Sequence, residues 1–305
     1  MKKLFGASLL AAGLAFGSVA QAAPTLLNVS YDVMRDFYKD YNTAFQKHWQ
    51  AEHNENITVQ MSFGGSSKQA RAVIDGLPAD VITMNQAIDI DILHDRGRLI
   101  PADWAKRLPD ASAPNASVTV ILVRPGNPKG IKDWADLARP GVSVVIPNPK
   151  TSGNGRYTYL AVWGSVVKSG GTSAQARQLV QGVFANVPVF DGGGRAATTT
   201  FAQRGIGDAL ATFESEVPLI KAEFGGDYQV VYPKSTVLAE NPVSVVDRVV
   251  DKRGTRREAE AYLRYLWSDE GQALAVTHTL RPRAAGWQGQ NRTRLPNENT
   301  FPVDE

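Results

Sequence analysis

From residue 26 onward, apolar positions alternate between strand-like runs and the 3.6-residue spacing of helices. The run at 26–30 predicts a buried strand, and the aromatic and apolar residues from 34 to 49 predict a helix that ends at a polar turn. Two further strands are each followed by a helix, in the order 57–63, 68–74, 80–84 and 87–94. Strands and helices that alternate in this way are typical of an open parallel sheet with flanking helices.

A second set of elements follows a change in composition at residues 109–117. Residues 118–123 predict a β-branched strand that ends in a Pro-Gly-Asn-Pro turn, and we interpret this strand as a crossing into a second lobe. The elements predicted after it are strands at 142–146, 187–190, 209–213 and 230–232 and helices at 132–137, 156–167 and 195–203. Residues 243–246 then return to the first lobe, where the amphipathic helix 256–267 packs.

The pattern therefore predicts an α/β protein with two lobes around a cleft. Each lobe is expected to be an open, mostly parallel sheet with helices on its faces, and two extended crossings join the lobes. We place lobe 1 at residues 23–116 and 236–305, and lobe 2 at residues 117–235.

The first 22 residues predict an export signal. Lys2 and Lys3 precede an apolar run that ends near Phe16, and Ala20-Gln21-Ala22 offers the small residues that a signal peptidase reads. A transmembrane anchor is the alternative, but the run is shorter than the ~20 residues that a span needs. We expect cleavage after Ala22 and a protein that is free in a bacterial periplasm.

Composition excludes several classes of site. The chain has no cysteine, which rules out disulfides, thiolate metal sites and cysteine nucleophiles. Removal of Lys2 and Lys3 reduces the 33 basic side chains to 31, against 30 acidic ones, so the net charge of the remainder is about +1. No block of Lys and Arg offers the basic face that nucleic acids need, and we expect no nucleic-acid partner.

Three turns rich in glycine and serine each end a predicted strand and open a predicted helix. They are Gly65-Ser66-Ser67, Ser152-Gly153-Asn154 and Gly193-Gly194-Arg195. The first N–H groups of a helix lack internal partners and carry partial positive charge, so such turns can bind an anion. In a parallel sheet these turns lie at the carboxyl ends of the strands, where ligands bind. A simple helix cap is the alternative for each turn, and the turns alone do not identify an anion.

Catalytic motifs are missing from the sequence. Its four histidines form no H-E-x-x-H motif, and neither a P-loop nor a G-x-S-x-G nucleophile elbow is present. Glu214 and Glu216 are two positions apart, so their side chains diverge on a helix and do not form an acid–base pair. We expect no enzymatic activity, no cofactor and no metal.

Five runs of the sequence resemble the periplasmic sulfate- and thiosulfate-binding proteins of ABC importers. The runs are 26–32, 64–70, 147–153, 204–208 and 238–240, and the likeness keeps its order from about residue 26 to about residue 283. The resemblance implies a type II periplasmic binding fold whose cleft holds a dianion by uncharged donors. It also implies delivery of the anion to the membrane permease subunits of an importer, and we expect a monomer.

Carried over position by position, the resemblance assigns most ligand contacts to backbone amides. The implied donors are the N–H of Asp32, the hydroxyl of Ser66, the hydroxyl and N–H of Ser152, and the N–H groups of Gly153 and Gly194. Three side chains beside the donor turns are expected to hold the turns in place: Asn154, Arg156 and Arg195. Direct contact of either arginine with the ligand is the alternative.

Phe213 bears on the choice of ligand. The sulfate-binding branch of the family uses a tryptophan indole N–H at this position, and phenylalanine cannot donate. Residues 99–104, 151–160 and 213–217 look more like the thiosulfate branch. Because the terminal sulfur of thiosulfate accepts hydrogen bonds poorly, we favour thiosulfate, with sulfate also bound. The alternatives are another oxyanion such as molybdate, or an exported enzyme that acts on sulfate or phosphate esters.

Overall fold

A computed structural model describes residues 22–290 and 299–303 of the chain. The strands are β1 (Thr25–Tyr31), β2 (Thr58–Gly64), β3 (Val81–Thr83), β4 (Asn115–Val123), β5 (Val144–Val145), β6 (Ala209–Phe213), β7 (Gln229–Val231), β8 (Ser235–Glu240), β9 (Val243–Val245), β10 (Arg281–Pro282) and β11 (Asn299–Phe301). The predicted export signal lies outside the described residues, apart from Ala22.

The α-helices are α1 (Arg35–His53), α2 (Ser66–Ile74), α3 (Ala87–Asp95), α4 (Pro109–Ser112), α5 (Gly153–Val167), α6 (Ser173–Ala185), α7 (Gly194–Thr198), α8 (Val217–Phe224), α9 (Asp247–Arg253), α10 (Arg256–Arg264) and α11 (Asp269–Thr277). Single turns of 3-10 helix lie at Asp32–Met34, Trp104–Lys106, Trp134–Ala138, Glu214–Glu216 and Tyr265–Trp267, and a π-helical turn lies at Thr199–Gln203. Within the described residues, no helix combines the length and the apolar character that crossing a membrane requires.

The first sheet has the strand order β2-β1-β3-β9. β1 runs parallel to both β2 and β3, while β9 is antiparallel to β3 and closes the edge. The parallel core follows from the predicted β-α-β-α order, because each helix returns the chain to the same edge of the sheet. As a result, the turns that follow β1 and β2 open at one edge.

The second sheet is built around β4 and has the order β11-β8-β4-β6-β5, with β7 and β10 also paired to β4. Strand β4 runs antiparallel to each of its neighbours, and only the pairs β5–β6 and β8–β11 are parallel. The prediction of a mostly parallel sheet is therefore wrong for this lobe. Hydrophobic periodicity reports which residues are buried but not the direction of the neighbouring strand, so the sequence pattern could not reveal this.

Two crossing segments join the sheets and bond to each other. The N–H of Asn241 donates to the carbonyl oxygen of Asn115 at 3.0 Å, and Asn241 Nδ2 donates to Asn115 Oδ1 at 2.6 Å. The hydroxyl of Tyr31, at the end of β1, donates to Asn241 Oδ1 at 2.7 Å. Strands β8 and β11 pair within the second sheet although they lie in the segment assigned to lobe 1. The lobe boundaries stay a prediction.

The segment 187–190 was expected to be a strand and is irregular. Pro188 has no N–H for a ladder hydrogen bond, and Val189 and Phe190 remain 37% and 44% exposed. Their apolar side chains therefore do not reflect burial within a sheet.

Helix α1 buries one aromatic face against α10 and the turn that follows it. Phe45 packs edge-on against Tyr262, with ring centroids 5.1 Å apart, and the Tyr262 hydroxyl donates to Asn42 Oδ1 at 2.7 Å. The same hydroxyl accepts Asn28 Nδ2 of β1 at 2.9 Å. These contacts fix the position of the turn between β1 and α1.

Asp80 links β1, β3 and α9 in the first lobe. This fully buried carboxylate accepts the N–H of Leu27 at 2.7 Å, Thr255 Oγ1 at 2.5 Å and Arg253 Nη1 at 2.7 Å. Its loss would leave buried donors without an acceptor.

We predict that Asp80→Ala lowers the free energy of unfolding by about 3 kcal/mol, because several buried donors lose their acceptor. Urea denaturation measures this difference, and Asp75→Ala, at an exposed position near the end of α2, is the control. Equal stability of the two variants would contradict the structural role of Asp80.

Candidate functional site

The three glycine- and serine-rich turns converge between the two sheets. A Cβ atom on Gly65 would lie 2.4 Å from the carbonyl oxygen of Thr151 and 2.6 Å from that of Gly192. A Cβ on Gly193 would lie 2.3 Å from Asp32 Oδ2. At Gly65 the backbones of opposite lobes approach too closely for any side chain, and at Gly193 a side chain would displace the Asp32 carboxylate.

Backbone amides at the helix starts face this junction without protein acceptors. In α5 the first helical bond is from the N–H of Arg156 to Ser152, and the N–H groups of Gly153, Asn154 and Gly155 have no acceptor among the described residues. The N–H of Gly194 is likewise without an acceptor in the described part of the chain. Unpartnered amides at a helix start carry partial positive charge and suit an anion.

Ser152 contributes one donor rather than two. Its N–H donates to the carbonyl oxygen of Asn148 at 2.9 Å, within the turn, so the expected contact through the Ser152 N–H is wrong for this structure. The Ser152 side chain is 3% exposed, and its hydroxyl has no hydrogen-bond partner among residues 22–290 and 299–303. The hydroxyl is therefore the group that Ser152 can offer a ligand.

Ser66 already has partners inside the protein. Its Oγ lies 2.5 Å from Asp89 Oδ2 and 3.0 Å from Asn85 Oδ1. A hydroxyl has one proton to donate, and the carboxylate of Asp89 is the stronger acceptor. The Ser66 hydroxyl can therefore donate to a ligand only if it gives up its hydrogen bond to Asp89.

Asn85 and Asp89 were not singled out from the sequence. Both are buried, and Asn85 Oδ1 lies 1.8 Å from the position of a Cβ on Gly153, which leaves no room for a side chain there. No motif marks these two residues, because their role depends on contacts with α2 and α5 that are distant in sequence.

Asp32 presents its carboxylate, as well as its amide, to the junction. Asp32 Oδ2 accepts the N–H of Arg195 at 3.3 Å across the two lobes. Burial raises the pKa of Asp32 above its usual value, while the neighbouring N–H groups, that of Arg195 foremost, lower it. The sequence indicated the amide of Asp32 but not the carboxylate contact.

Arg156 and Arg195 each bind side chains of the opposite lobe. The Arg156 guanidinium bonds to Asp89, Ser67 Oγ and Gln86 Oε1, which lie on or next to α2 and α3. Both guanidinium groups are therefore occupied by protein acceptors, which fits the predicted role of holding the turns.

Arg195 lies at the centre of a cluster of carboxylates that we call the Arg195 cluster: Asp32, Asp36, Glu216 and Glu223. Arg195 Nη2 lies 2.5 Å from Asp36 Oδ2, and Arg195 Nε lies 3.4 Å from Glu216 Oε2. Burial above all, with smaller contributions from the other three carboxylates, outweighs the attraction of Arg195 and raises the pKa of Glu216 to about 8. Glu216 therefore holds its proton at neutral pH.

Asn154 lies at the junction, and Phe213 contacts the helix that starts there, α5. Asn154 is 3% exposed and lies beside Gly194: its Nδ2 is 3.3 Å from the position of a Cβ on that glycine. Phe213 ends β6 with 2% exposure and meets Tyr157 edge-on, with centroids 5.9 Å apart. Among the described residues, no group of three or more His, Asp or Glu side chains could hold a metal ion.

Titration of Glu216 predicts a pH-dependent stability. Between pH 4.5, the ordinary pKa of a glutamate, and about pH 8, the folded chain keeps a proton that the unfolded chain has released. The unfolding free energy contributed by Glu216 therefore falls as pH rises through this window. We expect Glu216→Gln to remove this fall. Melting temperatures from pH 5 to pH 9 measure it, with Glu55→Gln, at an exposed glutamate outside the Arg195 cluster, as the control; a pH-independent difference from the wild type would refute the assignment.

Contact between the lobes predicts the effect of a single methyl group. Gly65→Ala places a Cβ against two carbonyl oxygens of the opposite lobe, so we expect the lobes to stay further apart and the radius of gyration to increase. Small-angle X-ray scattering measures this. Gly192→Ala is the matched control, because a Cβ at Gly192 meets nothing within 4 Å. Identical scattering by both variants and the wild type would count against the closed contact.

Comparisons with known proteins agree with this architecture. The chain is 63% identical to the thiosulfate-binding protein of Pseudomonas aeruginosa, over 100% of this chain and 92% of the relative. It is 48% identical to the sulfate-binding protein of Escherichia coli, over 96% of this chain and 89% of the relative. The structure matches that of the sulfate-binding protein SubI from Mycobacterium tuberculosis with a TM-score of 0.83 and 28% identity, over 92% of this chain and 95% of the other.

These matches confirm the predicted two-lobed α/β fold and the resemblance to solute-binding proteins, and the relatives named are binding proteins rather than enzymes. The sequence profile described as "Bacterial extracellular solute-binding protein" matches residues 26–279. The chain belongs to the bacterial extracellular solute-binding protein family.

Proposed function

We propose that this protein captures thiosulfate and sulfate in the periplasm and delivers them to an ABC importer. The observation that carries the proposal is the convergence of unpartnered helix-start amides between the two lobes. The similarity to thiosulfate- and sulfate-binding proteins supports it.

The proposed donors are neutral and come from both lobes. They are the N–H groups of Asp32, Gly153 and Gly194 and the hydroxyls of Ser66 and Ser152. Five hydrogen bonds to a charged acceptor stabilise a complex by roughly 8–15 kcal/mol, and association costs at least about 4 kcal/mol. A micromolar dissociation constant needs about 8 kcal/mol, so no arginine contact is required.

Donors alone favour a fully ionised ligand. Sulfate and thiosulfate carry no proton at neutral pH, whereas the proton of hydrogen phosphate would meet no acceptor in such a site. Asp32 and Asp89 are the carboxylates nearest to the donors, and each already accepts a hydrogen bond from the protein. We propose thiosulfate as the principal ligand, because the buried ring of Phe213 offers a sulfur atom an apolar contact.

We propose further that the protein works as a monomer, that lobe 1 comprises residues 23–116 and 236–305, and that lobe 2 comprises residues 117–235. The lobes would close on the anion, and the closed form would bind the membrane permease subunits. A molybdate-binding role and an ester-cleaving activity are the competing functions. The first predicts tighter binding of molybdate, and the second predicts turnover of an ester.

Isothermal titration calorimetry of residues 23–305 against four anions tests the ligand class. We expect micromolar or tighter binding of thiosulfate and sulfate and much weaker binding of phosphate and molybdate. Equal affinity for phosphate at pH 7 would refute a site built from donors alone.

Two substitutions in the turn before α5 test the position of the site. We expect Ser152→Ala to weaken thiosulfate binding by about 10- to 150-fold, because one hydrogen bond to a charged acceptor is lost. Gly153→Ala should weaken it more, because its Cβ would lie 1.8 Å from Asn85 Oδ1. Calorimetry measures both, with Ser169→Ala and Gly192→Ala as controls. Wild-type affinity in both site variants would place the anion elsewhere.

A further inference from the structure

Asn154 is the second residue of α5, and its buried side chain lies against the start of α7. Its Nδ2 lies 3.3 Å from the position that a Cβ on Gly194 would take. The same Cβ position is 2.9 Å from Val33 Cγ1, in the turn that follows β1. The amide group of Asn154 therefore lies where all three segments that carry proposed donors meet.

Within the described residues, Nδ2 of Asn154 donates to no protein atom. The other end of the amide has only a weak partner. Thr158 Oγ1 lies 3.5 Å from Asn154 Oδ1, but it lies closer, at 3.0 Å, to the backbone oxygen of Asn154 and donates its one proton there. The NH₂ group thus has two protons to donate and no acceptor in the part of the chain that the structure describes.

Helix stability alone does not explain an NH₂ group at this point. The first turn of a helix already has unpartnered N–H donors and a partial positive charge, so a purely structural residue there should be an acceptor or an anion. Asparagine is also a poor helix former away from the N-cap. A group that adds donors to a surplus of donors gains its largest stabilisation when an anion fills the junction.

We propose that the side-chain amide of Asn154 donates directly to the bound sulfur oxyanion and is one of the residues that set anion affinity and selectivity. This inference rests on the function proposed above and changes the role expected for Asn154, from holding a turn to binding the ligand. The added donor would hold an oxygen of thiosulfate, while Phe213 leaves the side of the pocket near β6 without a donor.

The substitution Asn154→Asp separates ligand binding from a structural role, since the two predict opposite effects. The carboxylate has nearly the shape of the amide, and a negative charge at a helix start stabilises the fold. Facing a dianion, however, the same charge repels the ligand. We expect the ligand-free variant to melt at or above the wild-type temperature and to bind thiosulfate at least about 100-fold more weakly.

The substitution Asn154→Ala removes the donor without adding charge, and we expect it to weaken thiosulfate binding by about 10- to 150-fold. Asn54→Asp, at an exposed position after α1, makes the same chemical change far from the junction and should bind like the wild type. Calorimetry with thiosulfate and sulfate, and thermal melting of the ligand-free proteins, provide the measurements.

Thiosulfate binding by both Asn154 variants within about 3-fold of the wild type would overturn the inference while leaving the proposed function intact. Failure of the wild type to bind either anion would instead refute the proposed function. If the aspartate variant does not fold, the alanine variant alone decides the question.

Discussion

The structure depends on a shortage of hydrogen-bond acceptors at the junction between the lobes. Three helices begin at one point between two sheets, and their first N–H groups have no carbonyl partners within residues 22–290 and 299–303. In an isolated helix, water satisfies such groups, but here glycine backbones of opposite lobes approach to within contact. The fold therefore creates a set of hydrogen-bond donors that is most stable when a small anion accepts their hydrogen bonds.

Several carboxylates surround this junction, and their negative charge is neutralised by protonation or by hydrogen bonds and ion pairs. The Arg195 cluster places three carboxylates around one guanidinium and a fourth, that of Asp32, on the backbone N–H of Arg195. The most buried of them, Glu216, has a pKa of about 8 and stays neutral at pH 7. Asp32 and Asp89 are each bound to arginines or amides of the opposite lobe. Consequently the carboxylates that hold the lobes together exert less repulsion on a dianion than their number suggests.

Periodicity was sufficient for the first six strands and helices of the chain and insufficient for the second sheet. β1, β2 and α3 lie within one residue of their predicted ranges, because the spacing of apolar residues within one element is a local property of the sequence. The antiparallel pairing of β4 and the irregular segment around Pro188 depend on neighbours that the pattern does not specify. Within the site, the glycines of the turns were identifiable from sequence. The partners of Ser66 were not, because Asn85 and Asp89 lie 19 and 23 positions away.

The hydrogen bond between Tyr31 and Asn241 has a mechanical consequence. Tyr31 immediately precedes Asp32, and Asn241 belongs to the crossing segment that is hydrogen-bonded to Asn115. A movement of the crossings would therefore act on the turn at Asp32 at the same time as it moves the turns at Ser152 and Gly194 away from it. Such a linkage favours concerted release of the anion, in which all donor contacts break in one movement and no partly bound intermediate accumulates.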